Sequence, residues 1–225
     1  MTVLIATFSR LLLVAIVVVL LYRNKYRYCY FFAVYLAAQM AVSVVGGFWP
    51  VLSQTWSGWA DKETLYALLR LLILAELAML IFRALPRARR RAQILLLLAT
   101  LLLAIALRWL SDTDSAYVLA REITSRFSYV TVWGLISLLL LVVWYRVPLL
   151  PFHKAILHGM LWLLLFHFAA VWAVRLVGGP AAGNIYNTAQ LGILALWLRA
   201  AWLRDPPSEA DELAVIRYLQ PWRAT

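Results

Sequence analysis

The sequence predicts an all-α fold: a polytopic membrane protein built as a seven-transmembrane-helix bundle, with its N-terminus outside and its C-terminus in the cytoplasm. Three observations lead there. Of the 225 residues, 65% are hydrophobic and 14% charged, far from the mix of a soluble globular chain. The apolar residues fall in seven runs of roughly 20, the length a helix needs to cross a hydrocarbon core of about 30 Å while satisfying its own backbone. Most of the Lys and Arg residues sit in short clusters between those runs, where membrane topology places them.

In order, the expected spans are 3–22, 28–51, 64–82, 92–109, 126–145, 155–174 and 185–203. The first has no basic residue ahead of it, and its positive charges, Arg23, Lys25 and Arg27, follow it. That is the pattern of an N-out anchor and not of a cleaved leader. Span four is almost wholly Leu, Ala and Ile and reads as a lipid-facing packing helix. Pro148 and Pro151 separate spans five and six, and Gly178, Gly179 and Pro180 separate six and seven.

These seven spans make one domain, residues 1–204. Asp205-Pro206-Pro207 ends the last helix, and Ser208 with Asp211 resembles a capping box. Leu213, Ile216 and Leu219 then share a helical face as far as Pro221. The tail, 205–225, is expected to lie along the cytoplasmic membrane surface. It carries no output domain, so a signal would pass to a separate membrane or cytoplasmic protein partner.

Orientation follows from the charge count. Arg23, Lys25, Arg27, Arg83, Arg87, Arg89, Arg90, Arg91, Arg146, Lys154, Arg199, Arg204, Arg217 and Arg223 fall on one side, 14 in all. Lys62, Arg108, Arg121, Arg126 and Arg175 make 5 on the other, diluted by Asp61, Glu63, Asp112, Asp114 and Glu122. The richer side is cytoplasmic, which places the chain in the cell (inner) membrane. Trp49, Trp56, Trp59, Trp109 and Trp172 are expected near the outer interface, and Trp144, Trp197 and Trp202 near the inner one.

Several classes are excluded. The net charge of +11 is spent on topology and forms no basic stripe interleaved with stacking aromatics, so nucleic acid is not a partner. The one cysteine, Cys29, can form neither an internal disulfide nor a multi-thiolate site, and reads as a small buried hydrophobe. Seven spans suggest a retinal protein, but Lys25, Lys62 and Lys154 are the only lysines and none lies mid-span in the last helix. HExxH and GxSxG are missing, and a single deep carboxylate cannot form a protease dyad, so no enzyme is expected.

Ionisable groups at membrane depth cost about 2.5 to 3.5 kcal/mol each and need a reason. Glu76, in the middle of span three, is the deepest acidic residue; Arg70 on the same span and Arg10 on span one lie roughly 10 Å farther out. Gln39 and Ser43, then Ser128, Tyr129 and Thr131, then His167, then Asn187, Thr188 and Gln190 add polar groups in the same leaflet. The expected ligand site is Glu76, Arg70, Arg10, Gln39, His167, Asn187 and Gln190, open to the outer side. The plain alternative is that Glu76 pairs with Arg10 or Arg70 to hold helices in register, with the amides and hydroxyls as interhelical glue.

His153, His158 and His167 all lie on or beside span six. A b-type cytochrome pair would need a second His-bearing helix, and none exists. Single ligation of a haem or chlorophyll-type pigment by His158 or His167 stays open; otherwise His153 is interfacial and the other two are hydrogen-bonded core residues.

Tyr26-Arg27-Tyr28 leading into span two with Tyr35 beyond it, Glu76 followed by Phe82-Arg83 and a basic loop, and Arg204-Asp205-Pro206 after span seven are the features of a resemblance. On them, the chain resembles a family of small seven-transmembrane-helix proteins of acidobacterial type. The resemblance implies an architecture and no activity.

Three readings of function follow. The first is a receptor-like sensor or ligand-binding membrane protein with its pocket around Glu76, working by differential affinity between two helix packings. The second is a membrane-embedded subunit of a larger complex. The third is a small permease or proton-coupled carrier with Glu76 as the titrating group.

Overall fold

The computed structural model describes residues 2–48, 56–83, 116–147 and 149–203. Six α-helices and one short 3-10 turn account for nearly all of them. They are α1 (Thr2–Tyr22), α2 (Tyr30–Phe48), α3 (Trp56–Arg83), α4 (Ala116–Trp144), α5 (Pro151–Val177) and α6 (Gly179–Trp202), with the 3-10 turn Lys25–Arg27 between α1 and α2. Span four and the tail helix expected from the sequence lie outside the described residues.

Lys62–Phe82, Arg126–Trp144 and Pro151–Val174 are long and apolar enough to cross a membrane, as a helical membrane protein requires; Thr7–Tyr22 and Tyr30–Gly46 are shorter apolar stretches. Large apolar side chains cover the outside as well as the core, among them Phe8, Leu11, Trp133, Leu140, Val143 and Leu176. Water would penalise such a surface, whereas lipid tails solvate it. Several helices run longer than expected. In particular, α3 begins at Trp56 and not near residue 64, and α4 begins at Ala116 and not near 126. Their second turns hold charges, such as Lys62, Glu63 and Arg121, that a hydropathy window discounts although a helix extending past the hydrocarbon tolerates them.

Breaks fall where the backbone demands special residues. Gly178, at φ 84, ends α5 and precedes α6 at once, a conformation that a side chain disfavours. Pro180 sits in the first turn of α6 and Pro151 opens α5, where a missing N–H costs nothing. Asn24, at φ 54, turns the chain out of α1.

The helices pack as a closed ring: α1 on α2, α2 on α3, α3 on α4, α4 on α5, α5 on α6, and α6 back on α1. Most neighbours are antiparallel, but two pairs run the same way. Lys25, just past α1, bonds the C-terminal carbonyls of α6, so α1 and α6 end together. Gly134, midway along α4, abuts Leu74, at the same distance into α3. Tyr129, midway along α4, stacks on Phe168 of α5, and the start of α5 lies at the end of α1, where Lys25 sits over the Phe152 ring. These contacts make α3 and α4 parallel too.

The core lies in the half of the ring away from the N-terminus. Trp197 of α6, 1% exposed, is the largest fully buried side chain there. It donates its indole N–H to the Ala155 carbonyl at 3.0 Å and meets Phe32 edge-on at 5.0 Å between ring centres. Trp197 was expected at the inner interface. The structure corrects this, because its face of α6 points at α5; Trp144 and Trp202 are the exposed tryptophans at that end.

Charged side chains close two helix termini at this end. Lys25, 3% exposed, donates to the Leu203 carbonyl at 2.6 Å and the Ala200 carbonyl at 3.3 Å, neutralising the negative end of α6. Lys25→Met should lower stability by about 1–3 kcal/mol, because both carbonyls lose a charged donor. A melt in detergent reads this directly, and an unchanged midpoint would show that water replaces the ammonium.

Candidate functional site

At the other end the ring opens into a polar cavity of about 340 Å³. Five of the six helices wall it. From α1 come Ser9, Arg10 and Leu13, one helical turn of side chains. Gln39 and Ser43, four apart on α2, supply a second polar edge. The stripe on α3 is Lys62, Glu63, Tyr66 and Arg70, and His167 comes from α5. Tyr186, Asn187, Gln190 and Leu194 complete it from α6 at the same i, i+4, i+8 spacing.

Arg70 is the unusual member. It is 4% exposed, and its Nε and Nη1 have no hydrogen-bond partner. Its guanidinium carbon lies 5.9 Å from the centre of the Tyr35 ring, a cation–π distance that offsets part of the desolvation. Tyr35 in turn meets Tyr66 edge-on at 5.8 Å and accepts a hydrogen bond from Gln39 Nε2 at 2.7 Å. Lys62 and Glu63 form an ion pair at 3.5 Å, so the nearby carboxylate is already engaged with another cation. Arg10 is exposed at the rim. A buried cation left without a counter-ion is costly unless something else completes it.

Of the seven residues expected from the sequence, Arg10, Gln39, Arg70, His167, Asn187 and Gln190 come together on this cavity. Glu76 does not line it, and the expectation that it forms the centre is corrected. Its carboxylate accepts from the Tyr30 backbone N–H at 2.7 Å, from Phe31 N–H at 2.9 Å and from Cys29 Sγ at 3.1 Å. It therefore caps the N-terminus of α2, at the far end of the ring. Nor is it bridged to Arg10 or Arg70: six residues along α3 separate Glu76 from Arg70 by about 9 Å, and the backbone donors occupy its oxygens. Cys29, read as a buried hydrophobe, is fully buried but also donates to that carboxylate.

The histidines sort differently from expectation. His153, expected at the interface, is buried with Nε2 3.1 Å from the Tyr28 carbonyl. His158, expected in the core, is exposed on the outside of α5 and bonds back to the Lys154 carbonyl through Nδ1 at 2.8 Å. His167 meets Tyr186 edge-on at 5.8 Å. Of the other polar groups expected in this leaflet, Thr131 bonds back to the Phe127 carbonyl at 2.7 Å and Thr188 to the Asn184 carbonyl at 2.8 Å, each within its own helix.

Ser9, Lys62, Glu63, Tyr66 and Tyr186 were not expected at the site. The signal for two of them is in the sequence: Glu63, Tyr66 and Arg70 recur at helical spacing, but the span expected from hydropathy begins only after Lys62 and Glu63. No protein-family model, curated protein or solved structure matches the chain, so the reading of this site rests on its own geometry.

Proposed function

We propose that the chain is a seven-span, receptor-like ligand-binding protein of the cell membrane, whose ligand enters the Arg70 cavity from outside. The observation that carries this reading is the buried, incompletely bonded guanidinium in the wall of a cavity rich in polar side chains. A volume of about 340 Å³ falls within the range of small-molecule sites.

Topology supports the span count. The first helix starts at the cavity end and α6 finishes at the opposite end, which takes an odd number of crossings. Six helices are described, and α3 and α4 run parallel, which supports a further crossing between Arg83 and Ala116. We assign that crossing to the stretch 92–109, the expected span four, which lies outside the described residues. Arg23, Lys25, Arg27, Arg146, Lys154 and Arg199 gather at the end away from the cavity, which supports a cytoplasmic assignment for that end. The carrier alternative draws no support from Glu76, whose oxygens are committed to α2.

A reporter cysteine tests the reading, because the native Cys29 is 0% exposed and stays silent. Gln190→Cys in intact cells should react with a membrane-impermeant maleimide. Reaction in inverted vesicles alone would reverse the orientation. Reaction only after denaturation would mean that the cavity is closed to solvent, and the ligand-binding reading would fail.

A further inference from the structure

We infer that the ligand is a small organic dianion of the dicarboxylate class, one carboxylate seated on Arg70 and the other at Arg10. The inference rests on the ligand-binding reading above and names the chemistry that would fill the site.

The charges in the wall set the ligand's charge. Arg10, Lys62 and Arg70 contribute three positive charges and Glu63 one negative, which leaves +2 with His167 neutral. Lys62 and Glu63 neutralise each other at 3.5 Å, so the excess resides on the two arginines. In a setting bordered by Leu13, Leu194 and two tyrosine rings, an uncompensated pair of cations repels more strongly than it would in water. A dianion removes the excess; a neutral or cationic ligand leaves it or adds to it.

The placement of the two cations sets the ligand's shape. Arg70 on α3 is buried and Arg10 on α1 is exposed at the rim, on the two helices that flank α2. One buried and one exposed cation on separate helices favour two separated anionic groups over a single doubly charged one such as phosphate. Guanidinium matches the planar, two-oxygen edge of a carboxylate, and Arg70 has nitrogens still lacking acceptors. Gln39, Asn187 and Gln190 offer amide donors for remaining carboxylate oxygens, and the tyrosine and leucine side chains accommodate a short hydrocarbon link.

The test is a ligand series on the detergent-solubilised full chain, read by thermal shift and by protection of Gln190→Cys from maleimide. The probes are dicarboxylates from malonate to adipate, the monoamide of each, inorganic phosphate and a phosphate monoester. At least one dicarboxylate should raise the melting midpoint and block labelling, with its monoamide bound about 10-fold or more weakly, the equivalent of about 1.4 kcal/mol. Arg70→Gln should weaken that dicarboxylate about 30-fold or more, since a buried charge loses its partner. Arg10→Gln, at an exposed position, should weaken the dicarboxylate but leave the monoamide nearly unchanged.

Equal binding of diacid and monoamide, preference for phosphate or its ester, or no shift with any dicarboxylate would overturn the inference. In each of those cases the ligand-binding reading still stands if Gln190→Cys is labelled from outside. If that labelling also fails, both fall together.

Discussion

Gly159→Ala should destabilise the protein by about 3 kcal/mol or more, the largest effect expected of any one-carbon change in the bundle. A Cβ at position 159 would land on the indole Nε1 of Trp197. That ring cannot step aside: its N–H is held by the Ala155 carbonyl, and Phe32 packs against it edge-on. Overpacking a rigid core costs about 1–3 kcal/mol, and pushing the indole off its acceptor strands a buried donor for about 1–3 more. Two glycines calibrate the result. Gly192→Ala meets nothing within 4 Å and should be neutral or stabilising by up to about 1 kcal/mol, as expected for glycine removed from a helix. Gly134→Ala meets the methyl end of Leu74, which can rotate away, and should fall between the two. Unfolding in mixed micelles, followed by circular dichroism, ranks the three. Coincident midpoints for Gly159→Ala and Gly192→Ala would mean that the α5–α6 seam is looser than described. Adding Trp197→Phe to Gly159→Ala should recover part of the loss, a coupling that independent sites would not show.

Glu76→Ala should cost about 2–4 kcal/mol of stability and leave the cavity's affinity for its ligand unchanged. The carboxylate holds the first two N–H groups of α2, at the positive end of that helix. Removing it leaves both donors unmet in an apolar setting. Glu76→Gln keeps one carbonyl oxygen and should lose less. Thermal melts combined with ligand titration separate this role from a binding role. A normal melt with lost binding would return Glu76 to the ligand site and contradict the capping geometry.

The difference over Glu76 shows how a sequence reading and a fold diverge. A carboxylate deep in an apolar run needs a partner, and Glu76 has one. The cationic partners visible along the chain were Arg10 and Arg70, so they were the natural candidates. The actual partners are backbone N–H groups 45 and 46 residues away, and one trace of them was legible. The start of α2 follows Arg27-Tyr28-Cys29, without the Ser, Thr, Asp or Asn that ordinarily caps a helix. A helix entering an apolar environment uncapped requires an acceptor from elsewhere, and Glu76 was the unassigned one. Lys25 tells the same story at the other polarity: it was counted as a topology signal, and folding uses it to close α6.

The cavity was more legible, for a simple reason. Polar residues inside apolar helices are placed at a depth by their position in the run, and alternate helices reverse direction. Arg10 near the start of α1, Gln39 late in α2, Arg70 in α3, His167 late in α5 and Asn187 early in α6 must therefore share a level. Depth is a one-dimensional quantity, and the sequence carries it. Facing is not: Thr188, next to Asn187, points out of the ring, and Ser128, Tyr129 and Thr131 sit at the right level on α4, which does not wall the cavity.

By itself, then, the sequence determined the helical class, the apolar character of the spans and the depth of each polar group, because hydropathy and length act locally along the chain. Tertiary structure decided which of those groups meet. It joined the helices into a ring, gave Arg70 a cavity whose one lining carboxylate, Glu63, is paired with Lys62, and turned Glu76 to the opposite end as a helix cap. Those outcomes depend on rotation about each helix axis and on contacts tens of residues apart, and a single sequence carries no local signal for either.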